Sequence, residues 1–351
     1  MPNSLLFTWK EVKNRGRGLT FDDVLVVPAK SEVRSRRDPI LTSQLTRKTT
    51  IDTPVISSNM DTVTESTMAI AMDRLGAIGI IHRFMSVEAQ VAEVRKVRES
   101  GAARCAASIG VGDDAQTRAQ KLVEAGAGIL TIDIAHGHSI AMMETMEWLK
   151  SKYPNVELIA GNVAMPEGAE DLIKSGADAV KVGIGPGSMC TTRVITGCGV
   201  PQLTAISLCS EVGEHYGVPI IADGGMRTSG DIVKAFAAGA STVMLGSMLS
   251  GTLETPGEVK SGHKQYRGMA SKDAQVSWRG GVPEGMAAEG EATLVSVKGM
   301  VRDVVLEITG GVRSGMSYVN ASSIAEIRSC ARFIEMSQSG TTESRAHGLK
   351  S

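Results

Sequence analysis

The feature that most constrains the fold of this 351-residue chain is a regular alternation of short apolar runs with amphipathic stretches. The runs are rich in Val, Ile and Ala, and they show no apolar–polar alternation. Uninterrupted apolar runs of this length are typical of strands buried on both faces of a parallel sheet. The predicted strands are Thr53–Met60, Ile78–Arg83, Ala102–Gly110, Ile129–Gly137, Val156–Val163, Ala179–Gly185, Pro219–Met226 and Thr242–Leu249.

Amphipathic patterns separate these runs. In each of them apolar residues recur three and four positions apart, which is the spacing of one helical face. A glycine follows several of them, as at Gly126, Gly176 and Gly239, and glycine commonly ends a helix. The predicted helices are Glu65–Leu75, Val87–Glu99, Asp114–Ala125, Ser139–Ser151, Glu167–Ser175, Thr204–Tyr216 and Ser229–Ala238.

This alternation predicts a closed (β/α)₈ barrel, or TIM barrel, as a single α/β domain over residues 1–351. A doubly wound open sheet is the alternative, although an open sheet this wide is less common. Residues 266–311 are rich in glycine and charge and weakly periodic, so we expect a short mobile flap over the barrel mouth. A closing helix is expected around Ser322–Phe333, and a flexible tail over residues 337–351.

Charge and cysteine usage argue against several classes of protein. The chain carries 37 Lys and Arg against 38 Asp and Glu, so neither nucleic acid nor an anionic membrane is expected as its main partner. No apolar run reaches the ~18 residues of a membrane-spanning helix. The N-terminal residues lack the apolar core of a secretory signal. The five cysteines show no CxxC spacing, so we expect reduced thiols and a cytoplasmic protein.

The strongest local signal is the loop at residues 183–193, Gly-Ile-Gly-Pro-Gly-Ser-Met-Cys-Thr-Thr-Arg, which follows a predicted strand. Its glycines and proline favour an irregular loop, whose amides suit phosphate and whose carbonyls suit a hard monovalent cation. Cys190 lies there beside hydroxyls and an arginine, where a thiol ionises readily and can act as a nucleophile. The alternative role, a small buried side chain, fits the cysteines in apolar patterns: Cys105, Cys209 and Cys330.

Two further strand ends carry glycine beside a polar residue. Asp223-Gly224-Gly225 combines a carboxylate suited to ribose hydroxyls with glycines that allow close approach of a ligand. Gly246-Ser247 ends the eighth predicted strand, where barrels commonly bind phosphate. Each pair alone is also ordinary turn chemistry. Together with Ser188 they indicate a nucleoside monophosphate as ligand.

The segment Asp133-Ile134-Ala135-His136-Gly137-His138 has the residue types of a metal site. No third His or Cys ligand lies nearby in the sequence, so we favour a loop that contacts a cofactor and expect no transition metal there. The chain contains neither a Walker A sequence nor a Rossmann glycine fingerprint at a first strand. Both absences argue against the commonest nucleotide-binding motifs.

The loop at 183–193 resembles the catalytic cysteine loop of the IMP dehydrogenase/GMP reductase family. This resemblance implies a (β/α)₈ barrel, a purine nucleotide whose C2 reacts with the cysteine, a nicotinamide cofactor, K⁺ near the loop, and a homotetramer. Further segments resemble family landmarks in family order: Leu19–Leu25, Asn59–Val63, Ile81–Arg83, Ala160–Val163, Ala222–Gly225 and Tyr266–Met269.

Within the family, three features favour the reductase branch. Ile81-His82-Arg83 leads through one predicted helix to the next strand, so the CBS modules usual in the dehydrogenases are not inserted there. Dehydrogenases of the family activate water with an Arg-Tyr pair on a long flap, and residues 269–281 contain no such pair. Ala288-Glu289-Gly290 resembles the reductase pattern, in which a glutamate acts with the loop threonine on the leaving amine.

Other features resemble the dehydrogenases. Pro283-Glu284-Gly285 and residues 133–138 follow the dehydrogenase pattern, and Arg83 stands where both branches usually have lysine. Because the flap lacks an Arg-Tyr pair and Glu289 fits the reductase pattern, we predict reductive deamination of GMP to IMP and ammonia. The predicted cofactor is NADPH, with NADH as the alternative. The competing hypotheses are an IMP dehydrogenase without CBS modules and an inactive sensor of purine nucleotides. The intact Cys190-Thr191-Thr192 triplet argues against the sensor.

The resemblance also assigns roles to individual residues. It implies Cys190, Thr192 and Glu289 as catalytic residues, and carbonyls of Gly185, Gly187 and Cys190 as K⁺ ligands. Residues implied at the GMP or IMP site are Ser188, Arg193, Asp223, Gly224, Gly225, Gly246, Ser247, Gly268, Met269 and Ala270. Residues implied along the cofactor are Arg83, Asp133, Ile134, Ala135, Gly183, Ser314, Gly315, Met316 and Ser317, the last four being expected in a loop after a Gly310-Gly311 turn.

Overall fold

The computed structural model describes residues 5–344 and contains a closed barrel of parallel strands. The barrel closes where Val243 pairs with Val55, which excludes the open-sheet alternative. All eight predicted strands are confirmed, each within its predicted bounds. Four short strands precede the barrel in the chain: β1 Leu6–Phe7, β2 Val24–Val26, β3 Ser43–Gln44 and β4 Thr50–Ile51. The barrel strands are β5 Val55–Ser57, β6 Ile78–Ile81, β7 Ala106–Ile109, β8 Ile129–Asp133, β9 Glu157–Val163, β10 Ala179–Val182, β11 Ile220–Asp223 and β12 Thr242–Leu245.

The predicted helices are confirmed to within a few residues, and several begin at side-chain caps. Ser86 and Ser139 each accept a hydrogen bond from a backbone amide of the first turn, and Thr228 forms a capping box with Asp231. The helices are α1 Ser66–Arg74, α2 Val87–Glu99, α3 Asp113–Glu124, α4 Ile140–Lys152, α5 Pro166–Lys174, α6 Thr192–Thr196, α7 Gln202–Tyr216, α8 Ser229–Ala237, α9 Lys272–Arg279, α10 Val301–Tyr318, α11 Ile324–Cys330 and α12 Gln338–Glu343.

The amino-terminal end of the barrel is filled with side chains. The hairpin β3–β4 lies across it and inserts Leu45 and Ile51, both fully buried, into the barrel interior. They pack there against Ile56, Ile80 and other inward-facing side chains of the barrel strands. Because this end is plugged, the large cleft of the molecule opens at the carboxyl ends of the strands.

Residues 266–311 are more ordered in secondary structure than their sequence suggested. Strands β13 His263–Arg267 and β14 Ala292–Ser296 pair as an antiparallel hairpin, and α9 lies between them. The interpretation of this whole region as weakly periodic is wrong from residue 301 onward, where α10 begins. In α10 the apolar residues Val301, Val305, Ile308 and Val312 face the core at helical spacing.

The remaining predicted segments are shorter than expected. The closing helix α11 covers Ile324–Cys330 of the expected 322–333. In the predicted tail, Gln338–Glu343 form α12, and residues 345–351 lie outside the described residues. Strand β15, Phe333–Glu335, pairs with β1 and β2 beside the barrel. Over residues 5–344, no helix combines the length and apolar character needed to cross a membrane.

Candidate active site

The loop that follows β10 places a thiol in a hydrogen-bonded chain. The half-buried Cys190 Sγ donates to Thr192 Oγ1 at 3.2 Å, and the Thr192 hydroxyl donates to Glu289 Oε2 at 2.8 Å. Thr192 and Glu289 are 97 positions apart in the sequence. The predicted proximity of Cys190, Thr192 and Glu289 is therefore present in the structure. A thiol, a hydroxyl and a carboxylate in this order form a path for a proton.

Backbone contacts hold Glu289 in this place. Its amide donates to the Ala270 carbonyl at 3.0 Å, and its carbonyl accepts from the Thr191 amide at 3.3 Å. Cys190 and Gly290 form an isolated antiparallel bridge. A Cβ on Gly290 would lie 3.0 Å from the Met189 carbonyl oxygen, so a larger residue would push these two closely packed chain segments apart by a few tenths of an ångström. The loop after α9 is thereby fixed to the cysteine loop.

We call the region at the ends of β10, β11 and β12 the glycine lobe. A Cβ on Gly246 would lie 2.9 Å from Tyr266 Oη and 3.1 Å from Ser58 Oγ, and one on Gly224 would lie 3.1 Å from the Gly187 amide nitrogen. These glycines allow the Tyr266 phenol, the Ser58 hydroxyl and the cysteine loop to pack closely on the strand ends. Tyr266 is buried, and burial raises the pKa of its phenol, which therefore stays protonated as a donor. The residues of the glycine lobe are Ser188, Gly224, Gly225, Gly246, Ser247 and Tyr266.

A buried lysine joins the two acidic strand ends. Lys181, 2% exposed, donates from Nζ to Asp133 Oδ1 and Asp223 Oδ2, each at 2.7 Å, and to the Asn162 side-chain oxygen. Burial works to lower the pKa of Lys181, but the two carboxylates outweigh it and raise that pKa. Burial works to raise the pKa of Asp133, but Lys181 and Asn59 hold it below its ordinary value. Asp133 therefore remains ionised, and Lys181 holds both aspartates in place at the cleft.

We call the opposite region, at the ends of β6, β7 and β8, the arginine lobe. In the strand order of the barrel, β7 lies opposite β11 and β8 lies opposite β12, so the two lobes face each other across the mouth. The side chain of Arg83 is largely buried, and burial lowers the pKa of its guanidinium although Asp133 counteracts this. The residues of the arginine lobe are Arg83, Phe84, Gly110, Val111, Asp114, Ile134, Ala135, Gln275, Trp278 and Arg279.

The cleft that contains both lobes has a volume of about 680 Å³. This is sufficient for a ligand of drug size or larger. Four buried polar atoms on its wall have no hydrogen-bond partner among the described residues: Ser58 Oγ, Arg83 Nε, Gln275 Oε1 and Trp278 Nε1. The predicted site residues that the structure brings to this cleft are Arg83, Asp133, Ile134, Ala135, Gly183, Gly185, Gly187, Ser188, Cys190, Thr192, Asp223, Gly224, Gly225, Gly246, Ser247, Gly268, Met269, Ala270 and Glu289.

Two predictions need correction. Arg193 does not line the cleft; its guanidinium donates to the carbonyls of Ile184 and Val200 and braces the cysteine loop from behind. Residues 314–317 do not form a loop, because they lie in the last turn of α10, and they do not line the cleft. A Cβ on Gly315 would lie 2.7 Å from a methyl group of Val233, so this glycine serves the packing of α10 on α8.

Sequence reasoning missed several residues of the cleft. Lys181 was hidden inside an apolar strand, although a single lysine in a buried strand is itself a signal that a buried anion is near. Phe84 gave no signal, because aromatic residues occur for many reasons. By contrast, His138 belongs to the segment that was expected to contact a cofactor, but it does not line the cleft. Its Nε2 lies 2.9 Å from Asp171 Oδ2 on α5.

The fold and the cleft together define a class of protein: a (β/α)₈ barrel enzyme with a cysteine and a glycine-lined cradle at its strand ends. The family model described as IMP dehydrogenase / GMP reductase domain matches residues 18–347. The chain belongs to this family and is one of its oxidoreductases, a family that acts on purine nucleotides with NAD(P) cofactors.

Individual relatives come from both branches. The chain is 43% identical to the inosine-5'-monophosphate dehydrogenase of Cryptosporidium parvum over 96% of this chain and 97% of that protein. It is 38% identical to the corresponding dehydrogenase of Nitrosopumilus maritimus (strain SCM1), over 95% and 98% of the two chains. It also matches the crystal structure of a GMP reductase from Trypanosoma brucei in complex with guanosine 5'-monophosphate, with a TM-score of 0.91, 34% identity, and coverage of 97% and 100%.

Proposed function

We propose that this protein is a GMP reductase, which converts GMP to IMP and ammonia with NADPH as cofactor. The observation that carries the proposal is the chain from Cys190 through Thr192 to Glu289, combined with what the flap lacks. The sequence has no tyrosine between Tyr266 and Tyr318, so this flap cannot contribute an Arg-Tyr pair for activation of water. A proton path to the leaving group suffices for deamination, whereas oxidation of IMP also requires an activated water.

In the proposed reaction, Cys190 Sγ attacks C2 of the purine. The thiol proton passes through the Thr192 hydroxyl to Glu289, which returns it to the amino group as the C2–N bond breaks, and ammonia leaves. The product of this half-reaction is a thioimidate between Cys190 and the purine. A bound reduced nicotinamide supplies the hydride that C2 requires. Breakage of the C2–S bond then releases IMP, and Cys190 takes up a proton from solvent.

We place the nucleotide in the glycine lobe. The ribose hydroxyls of GMP are proposed to bind Asp223, whose carboxylate is held by Lys181 and by the Asn162 amide at 2.9 Å. The phosphate is proposed to bind backbone amides and hydroxyls around Ser188, Gly225 and Ser247, next to the Tyr266 phenol. The unpartnered Ser58 Oγ supports a polar ligand at this end of the cleft.

We place the cofactor in the arginine lobe, with NADH as the alternative to NADPH. The unpartnered polar atoms of Arg83, Gln275 and Trp278 fit a ligand that offers both donors and acceptors. Asp133, Ile134 and Ala135 line the cleft between this lobe and the cysteine loop.

Carbonyl oxygens of Gly185, Gly187 and Cys190 are proposed as K⁺ ligands. The Gly187 carbonyl accepts one hydrogen bond from the Cys190 amide at 3.0 Å and keeps a second lone pair for a cation. We also propose that the protein is a cytoplasmic homotetramer. Light scattering of the purified protein tests the oligomeric state, with an expected mass of four chains.

The test is to follow the reduced nicotinamide by absorbance in a K⁺ buffer, in two reactions. We expect NADPH to be consumed with GMP, ammonia to appear in equal amount, and no NADH to form from IMP and NAD⁺. NADH formation from IMP, with XMP as product, would overturn the proposal.

The second candidate is an IMP dehydrogenase without CBS modules, which oxidises IMP with NAD⁺ and water. The dehydrogenase names of relatives at 35–43% identity favour it. In that case a residue other than an Arg-Tyr pair must activate water, and Arg279, which lines the cleft from α9, is the first to test.

A further inference from the structure

Four side chains of the arginine lobe form a continuous stack. The Phe84 and Trp278 rings meet edge to face with centroids 5.5 Å apart. The Arg83 guanidinium lies 4.8 Å from the Phe84 centroid, and that of Arg279 lies 4.4 Å from the Trp278 centroid. Each ring therefore carries a cation on one face, and the aromatic contact joins the barrel to the flap helix α9. We call these four residues the arginine–aromatic stack.

The two cations of the stack lack anionic partners within residues 5–344. Arg83 makes one long hydrogen bond, from Nη2 to the Asp133 carbonyl at 3.5 Å, and its Nε is buried without a partner. Arg279 is exposed, and its guanidinium makes no hydrogen bond or salt bridge in the described part of the chain. Two unpaired guanidinium groups on one cleft wall repel each other, and a shared anion relieves this repulsion.

The neighbouring carboxylates are already engaged. Asp133 is bound by Lys181 and by the Asn59 amide at 2.8 Å. Asp114 lines the same lobe, but its Oδ2 lies 3.7 Å from Arg118 Nε. Asp133 and Asp114 offset the charge of Arg83 only in part, and neither is paired with Arg279, so an anionic ligand would supply counter-charge to both guanidinium groups. The unpartnered Trp278 Nε1 provides a further donor at the same place.

We infer that the arginine–aromatic stack is a phosphate-binding subsite for the cofactor, with Arg279 as the residue that determines cofactor specificity. This inference rests on the proposed placement of a nicotinamide dinucleotide in the cleft, but not on the direction of the reaction. The recognised group is a phosphate of the dinucleotide, either the 2′-phosphate of NADP(H) or the pyrophosphate that NAD(H) shares. Arginine suits both, because its planar guanidinium binds phosphate oxygens in pairs.

The test is calorimetric titration of the full chain with NADP⁺ and, separately, with NAD⁺, which requires no turnover. For Arg279→Gln we expect NADP⁺ to bind about tenfold or more weakly, as loss of one charge-assisted contact requires. Arg279→Lys keeps the charge and should recover part of the affinity. The matched control is Arg36→Gln, which removes an exposed guanidinium that lies over the Tyr318 ring outside the cleft.

The two phosphate sources give different results. If Arg279 binds the 2′-phosphate, only NADP⁺ weakens; if it binds the pyrophosphate, NADP⁺ and NAD⁺ weaken by the same factor. Unchanged affinity for both, in a variant with the circular dichroism spectrum and melting temperature of the native protein, would overturn the inference. The titrations use oxidised cofactors without turnover, so they test the phosphate subsite even if the protein shows no GMP reductase activity. Likewise, GMP reductase activity would test the proposed function even if Arg279 does not bind the cofactor.

Discussion

The two lobes of the cleft differ in how completely their polar groups are paired. In and beside the glycine lobe, Lys181, Asp223 and Asn162 satisfy one another on strands of the barrel, and Ser58 Oγ is the one buried side-chain atom on this side of the cleft without a partner among the described residues. In the arginine lobe, Arg83, Gln275 and Trp278 keep buried atoms without partners, and two of these three residues belong to the flap helix α9. The strand-borne side is thus preorganised before any ligand arrives, whereas the flap-borne side is completed by the ligand.

The largest expected effect is at the cysteine loop. Cys190→Ala should reduce turnover about 10⁴-fold or more, because no other group forms the bond to C2. Nucleotide affinity, measured by titration with GMP, should change by less than about threefold, since the glycine lobe is unaltered. Equal losses of affinity and rate would contradict the role of nucleophile. Cys198→Ser, at an exposed cysteine, serves as the control.

Glu289→Gln should produce the next largest loss of rate. Loss of the proton acceptor should slow release of ammonia about 10²- to 10³-fold, while the hydride step slows less. Rapid-quench analysis of ammonia follows the first half-reaction, and stopped-flow reduction of NADP⁺ by IMP and the enzyme follows the hydride step alone, in reverse. Glu291→Gln, an exposed neighbour on the same loop, should change neither. If both half-reactions of Glu289→Gln slow equally, the proton path through Thr192 is wrong.

Lys181→Met tests the preorganised side of the cleft through stability. Two carboxylates would lose their buried counter-charge, so we expect a loss of about 3–5 kcal/mol in the free energy of unfolding. Urea denaturation measures this loss, with the exposed Lys121→Met as control. A loss below about 1 kcal/mol would mean that the network does not hold the two aspartates in place.

The same network sets a pH dependence with a defined sign. The pKa of Asp133 is lower in the folded protein than its ordinary value of 3.8, so its contribution to stability is present above that value and is lost as the pH falls through the lowered pKa. The pKa of Lys181 is raised above 10.5, so its contribution is present below that value and is lost only in stronger base. In Lys181→Met the acid-dependent loss of stability should be smaller, because that charge no longer depresses the pKa of Asp133 and the gap between its folded and unfolded pKa narrows. Urea denaturation as a function of pH compares the two proteins.

Phe84→Leu should produce the smallest effect, because it removes only one aromatic contact between the barrel and α9. An edge-to-face pair contributes about 0.5–1.5 kcal/mol, so the KM for the cofactor should rise about two- to tenfold while the KM for the nucleotide stays constant. Steady-state kinetics with either substrate varied checks this. A larger effect on the nucleotide than on the cofactor would remove the distinction between the lobes.

Particular residues show how far sequence reasoning reached. The cysteine loop and Glu289 were found because each lies in a distinctive short motif, and the structure joins them at hydrogen-bond distance. The helix α10 was missed because Gly310 and Gly311 resemble a turn. In the structure Gly311 instead allows close packing on Ser229, since a Cβ there would lie 2.2 Å from the Ser229 hydroxyl. A glycine required for packing and a glycine required for a turn are indistinguishable in one sequence.

The sequence by itself determined the barrel, because runs of apolar residues at strand length and at helical spacing encode elements locally. It also determined the family and pointed to Cys190, Thr192 and Glu289 as the predicted catalytic residues, because the cysteine loop and the segment around Glu289 are each short local motifs. Only the tertiary structure decided that Lys181 joins Asp133 to Asp223, that Arg193 turns away from the cleft, and that Phe84 meets Trp278. Such contacts join residues far apart in the chain, and they depend on how the elements pack and not on any local pattern.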